Sequence, residues 1–180
     1  MYPYFRVITT LLGSRFRPKL KFGETGRLRL RAGFLDIDTN GEVNNGRQLT
    51  IMDLGRYDIA ARLGLIKVVR KKRWGLAIGG SSVRYRRRIP FLKRYEMHSK
   101  VIGHDGRWFY FLQEMWRDNS ICTSALIKAG VISKGGLVPA AEVLKEFSET
   151  NWNGELPQWV QSWIDAEGQR PWSGKGAINK

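Results

Sequence analysis

The sequence predicts an α+β fold: one strand, one long helix, an antiparallel run of about four strands, then two short helices. Three observations carry this. Gly26-Arg-Leu-Arg-Leu-Arg31 alternates basic and apolar residues, the period of a strand with one wet face. The stretch after Asn44-Asn45 has a broad apolar face through Leu49, Met52, Ala60 and Leu63, and it stops at Gly64. His104-Asp105-Gly106 lies between two alternating runs, and Asp-Gly in that setting is a hairpin signal.

In chain order, residues 1–22 read as an amphipathic arm. Phe5, Val7, Ile8, Leu11 and Leu12 precede the basic Arg15, Arg17 and Lys19, and packing against the body is favoured over an interfacial membrane anchor. The first strand runs toward Phe34-Leu35 and an acidic turn. The long helix starts at Asn44 or Asn45, both good N-caps. A basic loop follows from Lys67 to Arg73. Trp74–Gly80 then reads as a strand that continues in period 2 through Ser81–Ile89, which would put Arg84, Arg86 and Arg88 on one face and Arg87 on the other. Tyr95–Ile102, Arg107–Trp116 and Ile121–Ile132 complete the meander. Ala140–Phe147 and Pro157–Ile164 are helical, the second with Trp159, Val160, Trp163 and Ile164 as a packing stripe. The expected divisions are an arm at 1–22, the main domain at 23–138, a helical extension at 139–167 and a flexible Gly/Lys-rich tail at 168–180.

Composition narrows the class. Of the 180 residues, 42% are hydrophobic and 12% aromatic, enough for a packed core and unlike a disordered chain. No apolar run approaches the roughly 18 residues of a membrane span, and the start lacks the pattern of a signal peptide. Cys122 is the single cysteine, which excludes an intrachain disulfide and suits a reducing cytoplasm. The two histidines, His98 and His104, form no CxxC or HxxxH pattern, so no metal site is expected. A net charge of +15 attracts polyanions: nucleic acid, an anionic membrane or a phosphorylated ligand. No aromatic RNA-binding signature is present, which disfavours nucleic acid.

The chain is organised around Asp36-Ile-Asp-Thr-Asn-Gly-Glu-Val-Asn-Asn-Gly-Arg47. A polar turn that opens a helix presents free N–H donors and a partial positive charge. On residue type alone, Asp38 is an Asx-turn former or a reactive carboxylate. Asn44-Asn45-Gly46 is a cap or a carbonyl-binding site, and Asp53 with Arg56 three residues on is a helix ion pair.

This stretch resembles the 4-hydroxybenzoyl-CoA thioesterase branch of the hotdog family, whose turn runs Asp-x-Asp-x-x-Gly-His-Val-Asn-Asn before a helix with an acid two turns in. Asp36, Asp38, Gly41, Val43, Asn44, Asn45 and Asp53 match those positions. Asn44-Asn-Gly-Arg47, Met52-Asp-Leu-Gly-Arg56 and Gly103-His-Asp-Gly-Arg-Trp-Phe-Tyr110 are similar to the subgroup called thioesterase superfamily member 6-like. The resemblance covers roughly residues 25–140. It implies a hotdog fold, a curved antiparallel sheet wrapped around the long helix, and hydrolysis of an acyl-CoA or acyl-carrier-protein thioester by a homodimer or tetramer whose sites lie between subunits. Asp38 would be nucleophile or general base, and the backbone amide at Asn45 would polarise the thioester carbonyl. Glu42, Asn44, Gly46, Arg47, Asp53 and Arg56 would support them, with coenzyme A entering only as part of the substrate. Arg84, Arg86, Arg87 and Arg88 would then suit its phosphates, with a solvated basic face as the plainer reading. Lys67, Arg70, Lys71, Lys72 and Arg73 are a weaker candidate. Glu42 departs from the pattern, replacing the histidine with a second acid close to Asp38. It motivates the rival reading of an acyl-CoA binder without turnover. Cys122, among small and apolar residues, is expected in the core rather than in catalysis.

Overall fold

The computed structural model describes residues 2–147 and 152–171. The basic–apolar alternation forms β1 (Thr25–Arg31), with Gly26 and Leu28 buried and Arg27, Arg29 and Arg31 exposed. A 3₁₀ turn (Phe34–Asp36) leads to α2 (Asn45–Leu63), preceded in the chain by α1 (Tyr4–Ser14). The remaining strands are β2 (Gly75–Tyr85), β3 (Arg94–His104), β4 (Phe109–Arg117), β5 (Ser120–Ser133) and β6 (Gly136–Val138). They pair antiparallel in the order β1-β3-β4-β5-β2, with β6 added to β5. Register shifts at Ile78/Gly80, Val101/Gly103 and Met115/Trp116 each place an extra residue on one strand, the device that bends and twists a sheet.

The α2 helix packs against this sheet. Ile51, Met52, Leu54 and Ile59 are buried against a core that includes Leu28, Met97, Val101, Phe111, Met115 and Ile127. Each such side chain contributes about 1.5–3 kcal/mol through burial. Close approach is possible because residue 55 is glycine: a Cβ there would lie 2.2 Å from Ser99 Oγ and 2.9 Å from Gln113 Nε2. The buried Gln113 amide spans the contact, donating to the Met52 carbonyl (2.9 Å) and to Ser99 Oγ (2.8 Å). Gly64 ends α2 in the left-handed conformation, φ 86°, as its position predicts.

Four expectations need correction. The basic stretch after Gly64 is a helix, α3 (Leu65–Lys72): Leu65, Val68 and Val69 share one side, while Arg70, Lys71 and Lys72 fill the last turn, where the helix dipole favours cations. The β2 strand stops at Tyr85 instead of reaching Ile89. The N–H groups of Arg86 and Arg87 both donate to the Cys122 carbonyl (2.8 and 3.0 Å), which breaks the ladder, so Arg84, Arg86 and Arg88 do not share a strand face. β6 follows a Gly135-Gly136 turn that the sequence reading passed over. The arm's helix α1 does lie on α2, but Phe5, Ile8 and Leu12 point to solvent and only Val7 packs on the core.

The C-terminal part forms α4 (Ala140–Leu144), an extended segment at 152–157, and α5 (Gln158–Gly168). The α5 helix covers the other face of the sheet. Val160 is buried with Tyr110 and Leu126, and Trp163 and Ile164 pack around them, while Trp159 of the expected stripe is exposed. Residues 172–180 of the expected tail lie outside the described residues. No helix among the described residues is long and apolar enough to cross a membrane.

Candidate active site at the start of the central helix

The turn before α2 is built by Asp36. Its side chain is 1% exposed and takes the Arg6 guanidinium (2.8 Å), Arg47 Nε (2.9 Å) and the Gly33 N–H (2.9 Å), while its carbonyl accepts from the Asn44 N–H (2.9 Å). A buried carboxylate needs this many partners to stay in place. Asp38, two residues on, is half-buried. Its Oδ1 accepts the Asn40 N–H (2.8 Å) in an Asx turn, and its own N–H donates to the Glu42 carbonyl (2.9 Å). Gly41 supplies the positive φ of 72° that closes this turn.

Asn44 caps α2, its Oδ1 accepting the Arg47 N–H (3.1 Å). Among the described residues, no acceptor pairs with the N–H groups of Asn45 and Gly46. A Cβ at Gly46 would meet only Asn44 Oδ1, at 3.4 Å, so the backbone is approachable there. The helix start therefore presents two unpaired donors and the positive end of a 19-residue helix. Tyr85 donates its O–H to the Asn45 carbonyl (3.0 Å), which brings the end of β2 and the exposed Arg84, Arg86, Arg87 and Arg88 beside this helix start. Arg47 is held at Asp36, so it serves the turn rather than Asp53.

Asp53 sits eight residues past Asn45, roughly 12 Å along the helix. The structure does not bring it to Asp38. It pairs with Arg56 (side chains 27% and 14% exposed), which also bonds Gln113, and it accepts the Tyr2 hydroxyl (2.9 Å). Burial, with hydrogen bonds to Tyr57 and Asp53, pushes the Tyr2 phenol above its ordinary range, so it stays a donor at neutral pH. Asp53, Arg56 and Tyr57 line one part of an otherwise apolar cavity of about 130 Å³ between α2 and the sheet, walled by residues such as Leu63, Phe109, Phe111 and Val131. Leu76 and Ile78 of the edge strand β2 line it too and are exposed.

Sequence reading missed the Tyr2 and Gln113 links, because partners 51 and 57 residues apart leave no local signal. It also passed over Asp36 as the anchor of the turn. Cys122 is buried, and burial pushes its thiol up from the ordinary range, an environment for packing and not for a nucleophile.

Known proteins share this architecture. The family model described as "Thioesterase-like superfamily" matches residues 32–164. The chain is 31% identical over 163 residues to Protein THEM6 of Drosophila melanogaster, covering 89% of this chain and 82% of that protein. Among solved structures, the YbaW probable thioesterase from Escherichia coli superposes with a TM-score of 0.62 at 16% identity, covering 67% of this chain and 94% of that one. The BH1999 gentisyl-coenzyme A thioesterase gives 0.59 at 15%, over 67% and 99%. These structures share the hotdog arrangement of a curled antiparallel sheet around a central helix.

Proposed function

The chain belongs to the thioesterase-like superfamily, and from that premise we propose that it hydrolyses an acyl-CoA or acyl-carrier-protein thioester to the free acid and thiol. One observation carries the reading: the turn that holds the Asp38 carboxylate leads directly into the open start of α2, where the Asn45 and Gly46 amides have no acceptor among the described residues, and the far half of this helix borders an apolar cavity. The amides and the helix dipole polarise the thioester carbonyl and steady its developing oxyanion. Asp38 supplies the carboxylate. As nucleophile it attacks the carbonyl carbon, the C–S bond breaks with release of thiolate, and water cleaves the mixed anhydride. As general base it takes a proton from the attacking water. The cavity takes apolar atoms of the acyl group. Arg84, Arg86, Arg87 and Arg88, near the helix start, suit the coenzyme A phosphates. Neither route needs a metal or a cofactor beyond the coenzyme A of the substrate.

A homodimer or tetramer completes the site. The exposed Leu76 and Ile78 on edge strand β2 support this, because they line the cavity and leave it open on that side. The test is Asp38→Asn against a panel of acyl-CoA esters with thiol release as readout. The expected result is loss of turnover by about 10³-fold or more with the fold intact; wild-type turnover in that variant would overturn the assignment. Single-turnover hydrolysis in ¹⁸O-water tests the nucleophilic route: where water cleaves the anhydride at the Asp38 carbonyl, the first product molecule is unlabelled and the carboxylate labelled, an outcome the general-base route cannot give.

Two observations favour a second reading, a non-catalytic acyl-CoA binder. Asp38 Oδ1 is engaged by the Asn40 N–H, and position 42 carries glutamate. Tight binding of acyl-CoA esters with no thiol release across the panel would select it.

A further inference from the structure

We propose that the outer face of α1 is a docking surface for an anionic phospholipid bilayer, with the helix lying in the plane of the headgroups. The helix is turned inside out relative to an ordinary surface helix. Its inward side is mostly polar: beside Val7, which packs on the core, Thr10 and Ser14 are buried, and Arg6 and, past the helix end, Arg17 reach the buried carboxylates of Asp36 (2.8 Å) and Asp58 (2.5 Å). Its outward side carries Tyr4, Phe5, Ile8 and Leu12, continued by Phe16 beyond the helix end, each between 51 and 91% exposed. The two ion pairs favour this rotation, since rolling the apolar side inward would take one guanidinium from each buried carboxylate and leave Asp36 to Arg47 (2.9 Å) and Asp58 to Arg62 (3.0 Å).

A second apolar outcrop adjoins it. Phe34 and Leu35 stand exposed beside Asp36, at the end of α1 that Arg6 fastens, and Phe34 meets the exposed Phe91 edge-on at 6.4 Å, with Leu92 next to it. The surroundings are basic. No Asp or Glu occurs in residues 1–23; Arg15 and Lys19 flank the helix stripe, and Arg31, Lys93 and Arg94 flank the outcrop, all exposed. Apolar side chains rimmed by cations match the boundary between acyl chains and anionic headgroups. A second copy of the chain is a poorer occupant: a twofold contact sets each basic rim against a basic rim.

The test is co-sedimentation of the full chain with phosphatidylcholine vesicles, with and without phosphatidylserine, alongside light scattering for oligomeric mass. The wild type is expected to bind the phosphatidylserine vesicles and to bind pure phosphatidylcholine more weakly, with salt reducing the difference. Phe5→Ser, Ile8→Ser, Leu12→Ser and Phe16→Ser combined should lower partition by about a hundred-fold or more, with circular dichroism and oligomeric mass unchanged. Arg15→Glu with Lys19→Glu should lower it by about ten-fold or more. Absence of wild-type binding, equal binding by the serine variant, or loss of oligomeric mass in that variant would each overturn the proposal. None of these readouts uses thioester hydrolysis, so a failure here and a failure of the enzymatic reading are distinct results.

Discussion

Asp36 and Asp38 stand two residues apart in the same turn, yet substituting each should give a different outcome. In Asp36→Asn the side chain keeps its size and can still accept the Gly33 N–H, but it loses its charge. Arg47, 13% exposed, and Arg6, 31% exposed, then face a neutral amide. Removing one partner of a buried ion pair costs about 3–5 kcal/mol, and Arg6 recovers part of that through its access to water. The expected loss is about 3 kcal/mol, a large share of the 5–15 kcal/mol typical of a domain's total stability. Urea denaturation measures it, as a lowered midpoint at constant slope. In thermal unfolding it corresponds to about 6–12 °C for a chain of this size. Asp38→Asn keeps its one local turn bond and should cost less than about 1 kcal/mol while abolishing turnover. A loss below about 1 kcal/mol for Asp36→Asn, or a larger loss for Asp38→Asn, would refute the division of labour between the two carboxylates.

Gly55→Ala drives a methyl group into Ser99 and Gln113. The clash outweighs the gain in helix propensity, and denaturant titration should show a loss of about 1–3 kcal/mol. Asp105 closes the β3–β4 turn by accepting the N–H groups of Arg107 (2.9 Å) and Trp108 (2.7 Å) and the Tyr110 hydroxyl (2.7 Å), so Asp105→Ala should cost about 1–3 kcal/mol by the same measurement. Desolvation raises the Asp105 carboxyl, but hydrogen bonds from Trp108, Tyr110 and Arg107 outweigh it and hold the group below its ordinary range. Its stabilisation is therefore complete above the ordinary carboxylate pKa and is lost as pH falls through the folded one. Thermal scans between about pH 5 and about pH 2 should show a flatter acid slope in Asp105→Asn. Cys122, with its thiol raised by burial, should react with a thiol-specific reagent at neutral pH only after denaturation, while Cys122→Ala keeps any thioester hydrolysis; fast labelling of the native protein would contradict its placement in the core.

Local pattern made the main fold legible. The alternation in Gly26–Arg31, the Asn44 cap, the Gly64 stop and the Asp105-Gly106 hairpin each encode their element within a few residues, and each element formed there. Misreadings came where tertiary contact decided. The charge of the run from Lys67 suggests a loop, but Leu65, Val68 and Val69 have helical spacing and the run is α3. The end of β2 depends on the Cys122 carbonyl, 35 or more residues downstream of Arg86 and Arg87 in sequence, about the separation at which no local rule applies. At the candidate site, the turn and cap could be read from Asp38, Gly41 and Asn44. The grip of Arg6 on Asp36, and of Tyr2 on Asp53, could not, because both depend on how the N-terminal arm lies against α2. The amphipathic arm was seen, but periodicity gives only the existence of an apolar face, and its direction was set by the buried carboxylates that the arginines serve.

The placement of α5 bears on how the molecule is made. Tyr110 and Leu126 precede by about 35 residues or more the side chains that shelter them, Val160, Trp163 and Ile164, so the shelter is translated after the strands it covers. The strap before α5 is seated equally late, where the Gly154 carbonyl receives the His104 N–H (2.9 Å) and would lie 2.6 Å from any Cβ at Gly103. During synthesis, the helix-facing layer can assemble while the opposite face is still bare, a nascent sheet with oily residues open to neighbours and chaperones. A message shortened before Gln158 would leave that condition permanent, so quality control of this protein should turn on α5.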